Sequence, residues 1–177
     1  MNKYIALLIV LPFASTSYAN ELPSCDIEIE KPIFISNKHA EDTLSVHIKG
    51  EPCHKADLEI LIKDVNDKEI YQYRAPFKPH IAVQWDDKDL NKFAKQFAQE
   101  AFKEYRFGHT NKLPEWMPKE EYYEENYQEL EVSKEYYLSI LSKSWQTFSH
   151  MTHYEGWQII AFDQNSNKFV LISKGGL

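Results

Sequence analysis

From Leu90 onward, apolar side chains recur at Leu90, Phe93, Ala94, Phe97, Ala98, Ala101, Phe102 and Tyr105, the spacing that gathers them on one side of an α-helix. The intervening Asn91, Lys92, Lys95, Gln96, Gln99, Glu100, Lys103 and Glu104 favour water. The pattern predicts an amphipathic helix over about 88–106. Asp86, Asp87 and Asp89 are expected to favour its positive end, and Gly108 to close it in a left-handed cap. Such a helix is marginal alone, so its phenylalanines need a covering layer, and an antiparallel sheet is the expected one.

Elsewhere the period shortens to two. Asp26-Ile27-Glu28-Ile29-Glu30 alternates, and Ile33-Phe34-Ile35 continues beyond Pro32, which predicts an edge strand, where proline is tolerated. Leu44, Val46 and Ile48 share one face of a second strand that Gly50-Glu51-Pro52 ends. Residues 57–75 read as a hairpin with Leu58, Ile60 and Ile62 on one face and a turn at Val65-Asn66-Asp67-Lys68. His80 to Trp85 suggests a short fifth strand, and Gly108 to Pro118 a loop. One or two further helices are expected between Lys119 and Phe148. Trp157–Phe162 and Lys168–Ile172 form a second hairpin. The sum is an α+β fold with a mainly antiparallel sheet packed by the amphipathic helix.

The start of the chain changes where this fold is expected to begin. Lys3, the apolar run Tyr4 to Phe13 and the small-x-small Ser17-Tyr18-Ala19 read as a secretory signal over residues 1–19, leaving one α+β domain over 20–177. No second apolar run follows, so no transmembrane segment is expected. An exported chain would be periplasmic in a Gram-negative cell. In an oxidising compartment the two cysteines, Cys25 and Cys53, are expected to form a disulfide. The rival is a lipid on Cys25, since Leu22-Pro23-Ser24-Cys25 loosely resembles a lipoprotein box, although Pro23 fits it poorly.

Charge narrows the partners. The formal net charge is −7, and it becomes one unit more negative once Lys3 leaves. That argues against nucleic acid, which needs clustered lysine and arginine, and favours a cationic partner. Most of the imbalance lies between Glu115 and Tyr137, where eight glutamates face two lysines, Lys119 and Lys134, for a local net of −6. Aromatic residues are interleaved with them. Trp116, Glu120, Glu121, Tyr122, Tyr123, Glu124, Glu125 and Tyr127 are therefore the candidate binding residues, with rings as anchors and carboxylates steering the encounter.

Other chemistries are less well supported. Paired glutamates such as Glu120 and Glu124 suggest glycoside hydrolysis, but a segment with so many carboxylates gives no reason for one to be protonated. His150 and His153, if helical, could face one ion with Glu155 or His109; the competing expectation is two partly exposed imidazoles at a helix C-terminus. Trp116, Tyr122 and Trp157 could stack on a cell-wall glycan. The chain has no Gly-x-Ser-x-Gly, Ser-x-x-Lys, Cys-x-x-Cys, His-Glu-x-x-His or phosphate-binding glycine loop. The expectation is an exported binding protein without a cofactor, of the inhibitor or immunity type, acting on a basic envelope protein. The alternatives are a metal-dependent hydrolase and a glycan-binding module.

Overall fold

The computed structural model describes residues 24–37, 39–81 and 89–176. The expected signal, most of the lipidation box, residues 82–85 of the expected fifth strand, Asp86 and Asp87, and Leu177 lie outside the described residues. Among those described, no helix is long and apolar enough to cross a membrane.

The fold is α+β, with two antiparallel sheets where a single one was expected. Strands β1 (Cys25–Asn37), β2 (Ala40–Gly50), β3 (Asp57–Lys63) and β4 (Glu69–Pro76) form the first sheet in that order. Pro32 is accommodated because β1 is its edge. Register separates the two faces: Ile29, Val46, Ile60 and Tyr73 lie side by side on the inner face, while Glu28, His47, Glu59 and Arg74 form a polar row on the outer face. The Cys25–Cys53 disulfide joins the start of β1 to the turn after β2. An oxidised pair is compatible with an extracytoplasmic location.

Helix α1 (Leu90–Glu100) packs on β1 and β2. It is shorter than the apolar period suggests, because Phe102 and Lys103 donate backbone hydrogen bonds three residues back, to Gln99 and Glu100, tightening and ending the last turn. Phe102 then packs beneath Lys31, whose Nζ is 5.1 Å from the ring centroid, and Tyr105 turns outward. The covering layer is more than a sheet: Phe77 and His80 also close over Phe97, with ring centroids 5.5 and 5.2 Å away. His80 belongs to a 3₁₀ turn, Lys78–His80, so no strand begins there.

Gly108 is not a helix cap. It lies in β5 (Phe107–His109), where a Cβ would come within 2.9 Å of Thr147 Oγ1 on the neighbouring strand. Close approach, and not a left-handed conformation, is what the glycine permits. The second sheet runs in the order β5, β7 (Gln146–His153), β8 (Gly156–Asp163), β9 (Lys168–Gly175), β6 (Gln128–Leu130). Helices α2 (Lys119–Asn126) and α3 (Lys134–Leu141) flank β6. The near-helical period after Glu135 stops at Leu141, and a left-handed Ser144 redirects the chain into β7.

The two sheets share one apolar core, which takes in Leu44, Val46 and Ile60 from the first and Phe148 and Ile160 from the second. A smaller core, containing Tyr122, Tyr137, Ile140, Trp145 and Ile172, seats α2 and α3 on the second sheet.

Candidate binding surface

The acidic segment acquires its shape from its tyrosines. In α2 the sequence Lys-Glu-Glu-Tyr-Tyr-Glu-Glu-Asn has no apolar stripe, so packing must come from a single side chain. Tyr122 supplies it. Its ring is fully buried, edge-on to Tyr137 with centroids 6.2 Å apart. The Tyr137 hydroxyl donates to the Pro114 carbonyl at 2.8 Å, pinning the loop that leads into α2. Burial raises the hydroxyl pKa of both tyrosines, so both remain neutral donors. Ser133 caps α3, its hydroxyl accepting from the Tyr136 amide at 3.3 Å. The Tyr136 hydroxyl donates to Asp163 at 3.2 Å, and burial beside that carboxylate pushes its pKa up to about 12.

The turn out of α2 is equally constrained. Tyr127 takes a left-handed conformation, φ 53°, and its amide donates to the Tyr123 carbonyl. The chain then drops into β6 against β9, where a Cβ on Gly175 would lie 2.4 Å from the Tyr127 carbonyl oxygen. Only glycine lets the turn sit this close.

Of the residues singled out by sequence, Tyr122 does not reach the surface. Tyr123 and Tyr127 do, at 40% and 58% exposure. Trp116 is half-buried, with the Lys134 ammonium 4.0 Å from its ring centroid. Lys119 pairs with Glu129 at 3.1 Å. Both lysines of the segment are thus engaged internally. Glu120, Glu121, Glu124 and Glu125 are exposed, and among the described residues none of the four has an ion pair. Beside Tyr123 runs a groove of 440 Å³ lined by Glu129, His153, Gln158 and Lys174 among others. Of the three rings expected to stack on a glycan, Tyr122 is inside and Lys134 lies over one face of Trp116.

The histidine expectation is also corrected. His150 and His153 lie on strand β7, not on a helix, and belong to no group of ligands close enough to share an ion among the described residues. His150 is buried between the sheets. Its Nδ1 lies 3.0 Å from the Met151 carbonyl, which can only accept, so Nδ1 carries the proton. Nε2 therefore accepts from the Tyr71 hydroxyl at 2.6 Å, with the Gln158 amide nitrogen 2.9 Å away. Burial first of all, together with nearby positive charge, lowers the His150 pKa to about 4. The adjoining void, 10 Å³ between Ile60, Phe97, Arg106 and Met151, has room for about one water and no substrate. This network fastens one sheet to the other.

Sequence reasoning missed the outer face of the first sheet. There Glu28, Glu30 and His47 place ligand atoms within 4.8 Å of one another. The signal was the disulfide itself: tethering Cys25 near Cys53 sets Cys25 opposite Gly50, and antiparallel counting then puts Glu28 opposite His47. Comparison of the chain with protein-family models, curated proteins and solved structures finds no match.

Proposed function

We propose that this is an exported binding protein that docks a basic protein partner through the exposed side of α2 and the turn at Tyr127, in the manner of inhibitor or immunity proteins. The observation that supports this reading is the like-charge crowding of the four α2 glutamates, none of which has an ion pair among the described residues. Glu120 faces Glu124, and Glu121 faces Glu125, as like charges one helical turn apart, each pair costing roughly 0.2–0.5 kcal/mol. Glu124 and Glu125 also sit at the negative end of the helix, which they disfavour. Glu120 and Glu121 suit the positive end of the helix, but the fold gains nothing from Glu124 and Glu125, and the lysines that would relieve the cluster are engaged elsewhere. A cationic partner is the relief they lack, and Tyr123 and Tyr127 offer it ring surface at low entropic cost.

The test begins with capture of a partner from the cell envelope on the mature protein, followed by kinetics with the purified pair. Replacing Glu120, Glu121, Glu124 and Glu125 by glutamine should slow association about tenfold or more at low salt and flatten its salt dependence. The same variant should unfold no more easily than the parent. A partner bound at the same rate by both, at every ionic strength, would refute the proposal.

A further inference from the structure

The outer row of the first sheet is arranged around one imidazole. His47 stands between its register partners Glu28 on β1 and Glu59 on β3. Its Nδ1 faces Glu59 Oε2 at 3.5 Å, and its Nε2 faces Glu28 and Glu30 at 3.6 and 3.9 Å. The two sides of the ring differ. Glu59 is fixed from behind, its other oxygen accepting from Arg74 Nε at 2.7 Å and Gln72 Nε2 at 2.9 Å. Glu30 is likewise held by the Ser45 hydroxyl at 2.7 Å. In contrast, His47 Nε2 is shielded from solvent yet has no hydrogen-bond partner. A polar nitrogen left this way costs about 1–3 kcal/mol unless something else fills its lone pair.

We propose that Glu28, Glu30 and His47 form a zinc site, with His47 Nε2 and one oxygen from each glutamate as ligands. The surrounding groups are those such a site requires. A ligating imidazole is oriented by a carboxylate on its other nitrogen, which is the place of Glu59, and a ligating carboxylate is steadied by a hydrogen bond, which is the place of Ser45. One nitrogen and two carboxylate oxygens suit a borderline divalent ion, and three protein ligands leave a fourth tetrahedral position for water. That position is reachable from the solvent side, because the Glu28 and Glu30 side chains are 68% and 53% exposed. Two adjacent strands supply all three ligands, so the ion would also bridge β1 to β2 beyond their backbone ladder.

The experiment is titration of the metal-free full chain with Zn2+ by calorimetry, with thermal unfolding and histidine ring NMR in parallel. One zinc ion should bind, raise the melting temperature and shift the His47 ring resonances, with Nε2 metallated and Nδ1 still protonated. His47→Ala and Glu30→Gln should each abolish this uptake, whereas His153→Ala should leave it intact. Glu59→Gln, which touches no metal, should weaken zinc about 10- to 100-fold. All four changed side chains lie outside the apolar cores, and thermal unfolding without zinc checks that each variant is folded. The assignment is overturned if the parent takes up no zinc, if folded His47→Ala binds it equally well, or if zinc moves the resonances of another histidine and not those of His47.

Discussion

The Tyr71 hydroxyl and His150 Nε2 meet at 2.6 Å across the interface of the two sheets, 79 positions apart in the chain. His150 is buried and Tyr71 half-buried, so the bond is made in a medium where a missing donor is felt. Tyr71→Phe should destabilise the protein by about 1–2 kcal/mol, moderated by the Gln158 amide, which already lies within reach of the same nitrogen. Urea denaturation at neutral pH measures it. An unchanged midpoint would mean that the hydroxyl adds nothing to the join.

The same imidazole makes stability depend on pH. Its pKa is near 4 when folded and returns to its ordinary 6.5 on unfolding. Between those values the unfolded chain binds more protons than the folded one. Stability is therefore complete above about pH 6.5 and falls as the pH drops toward 4, by about 3 kcal/mol for this group. His80, also buried and lowered, adds to the loss with the same sign. Denaturant titrations at pH 7 and pH 4.5 should show the fall. His150→Met should shrink it without removing the part due to His80.

At the α2 turn, Gly175→Ala sets a Cβ against the Tyr127 carbonyl, a backbone atom that cannot rotate away. Overpacking of this kind costs about 1–3 kcal/mol. It should also loosen β6 from β9, seen as faster amide exchange at Glu129 and Lys174, which are register partners. Exchange rates matching the parent would show that the turn has room to spare.

The disulfide closes a separation of 28 positions, worth about 3–4 kcal/mol in the chain-entropy account. A Cys25→Ala/Cys53→Ala double variant should lose that much in denaturant unfolding, and β1 should be the first strand to exchange its amides. Loss of protection across all strands alike would point to a role in the whole fold.

How much of this was legible depends on where each element finds its partners. Leu44, Val46 and Ile48 alternate with the polar Ser45, His47 and Lys49 because one face of β2 packs into the core and the other does not, so the strand could be read locally. Strand β7 could not. His150 and Ser149 break its apolar alternation, and His150 is tolerated inside only because Tyr71 and Gln158 satisfy it from other strands. Helix α1 was visible, but its end was not, since Phe102 and Tyr105 stay in phase by sequence after the backbone has left the helix. In the acidic segment, charge and ring content were evident from composition. Which of the adjacent Tyr122 and Tyr123 turns inward was not, because α2 lacks an apolar face and the choice is made by Tyr137 from another helix.

That choice separates two kinds of change. Tyr122 alone roots α2, so the neighbouring glutamates and Tyr123 can be exchanged without disturbing what lies beneath. The outward side of α2 is therefore free to drift in sequence while the architecture beneath it stays the same.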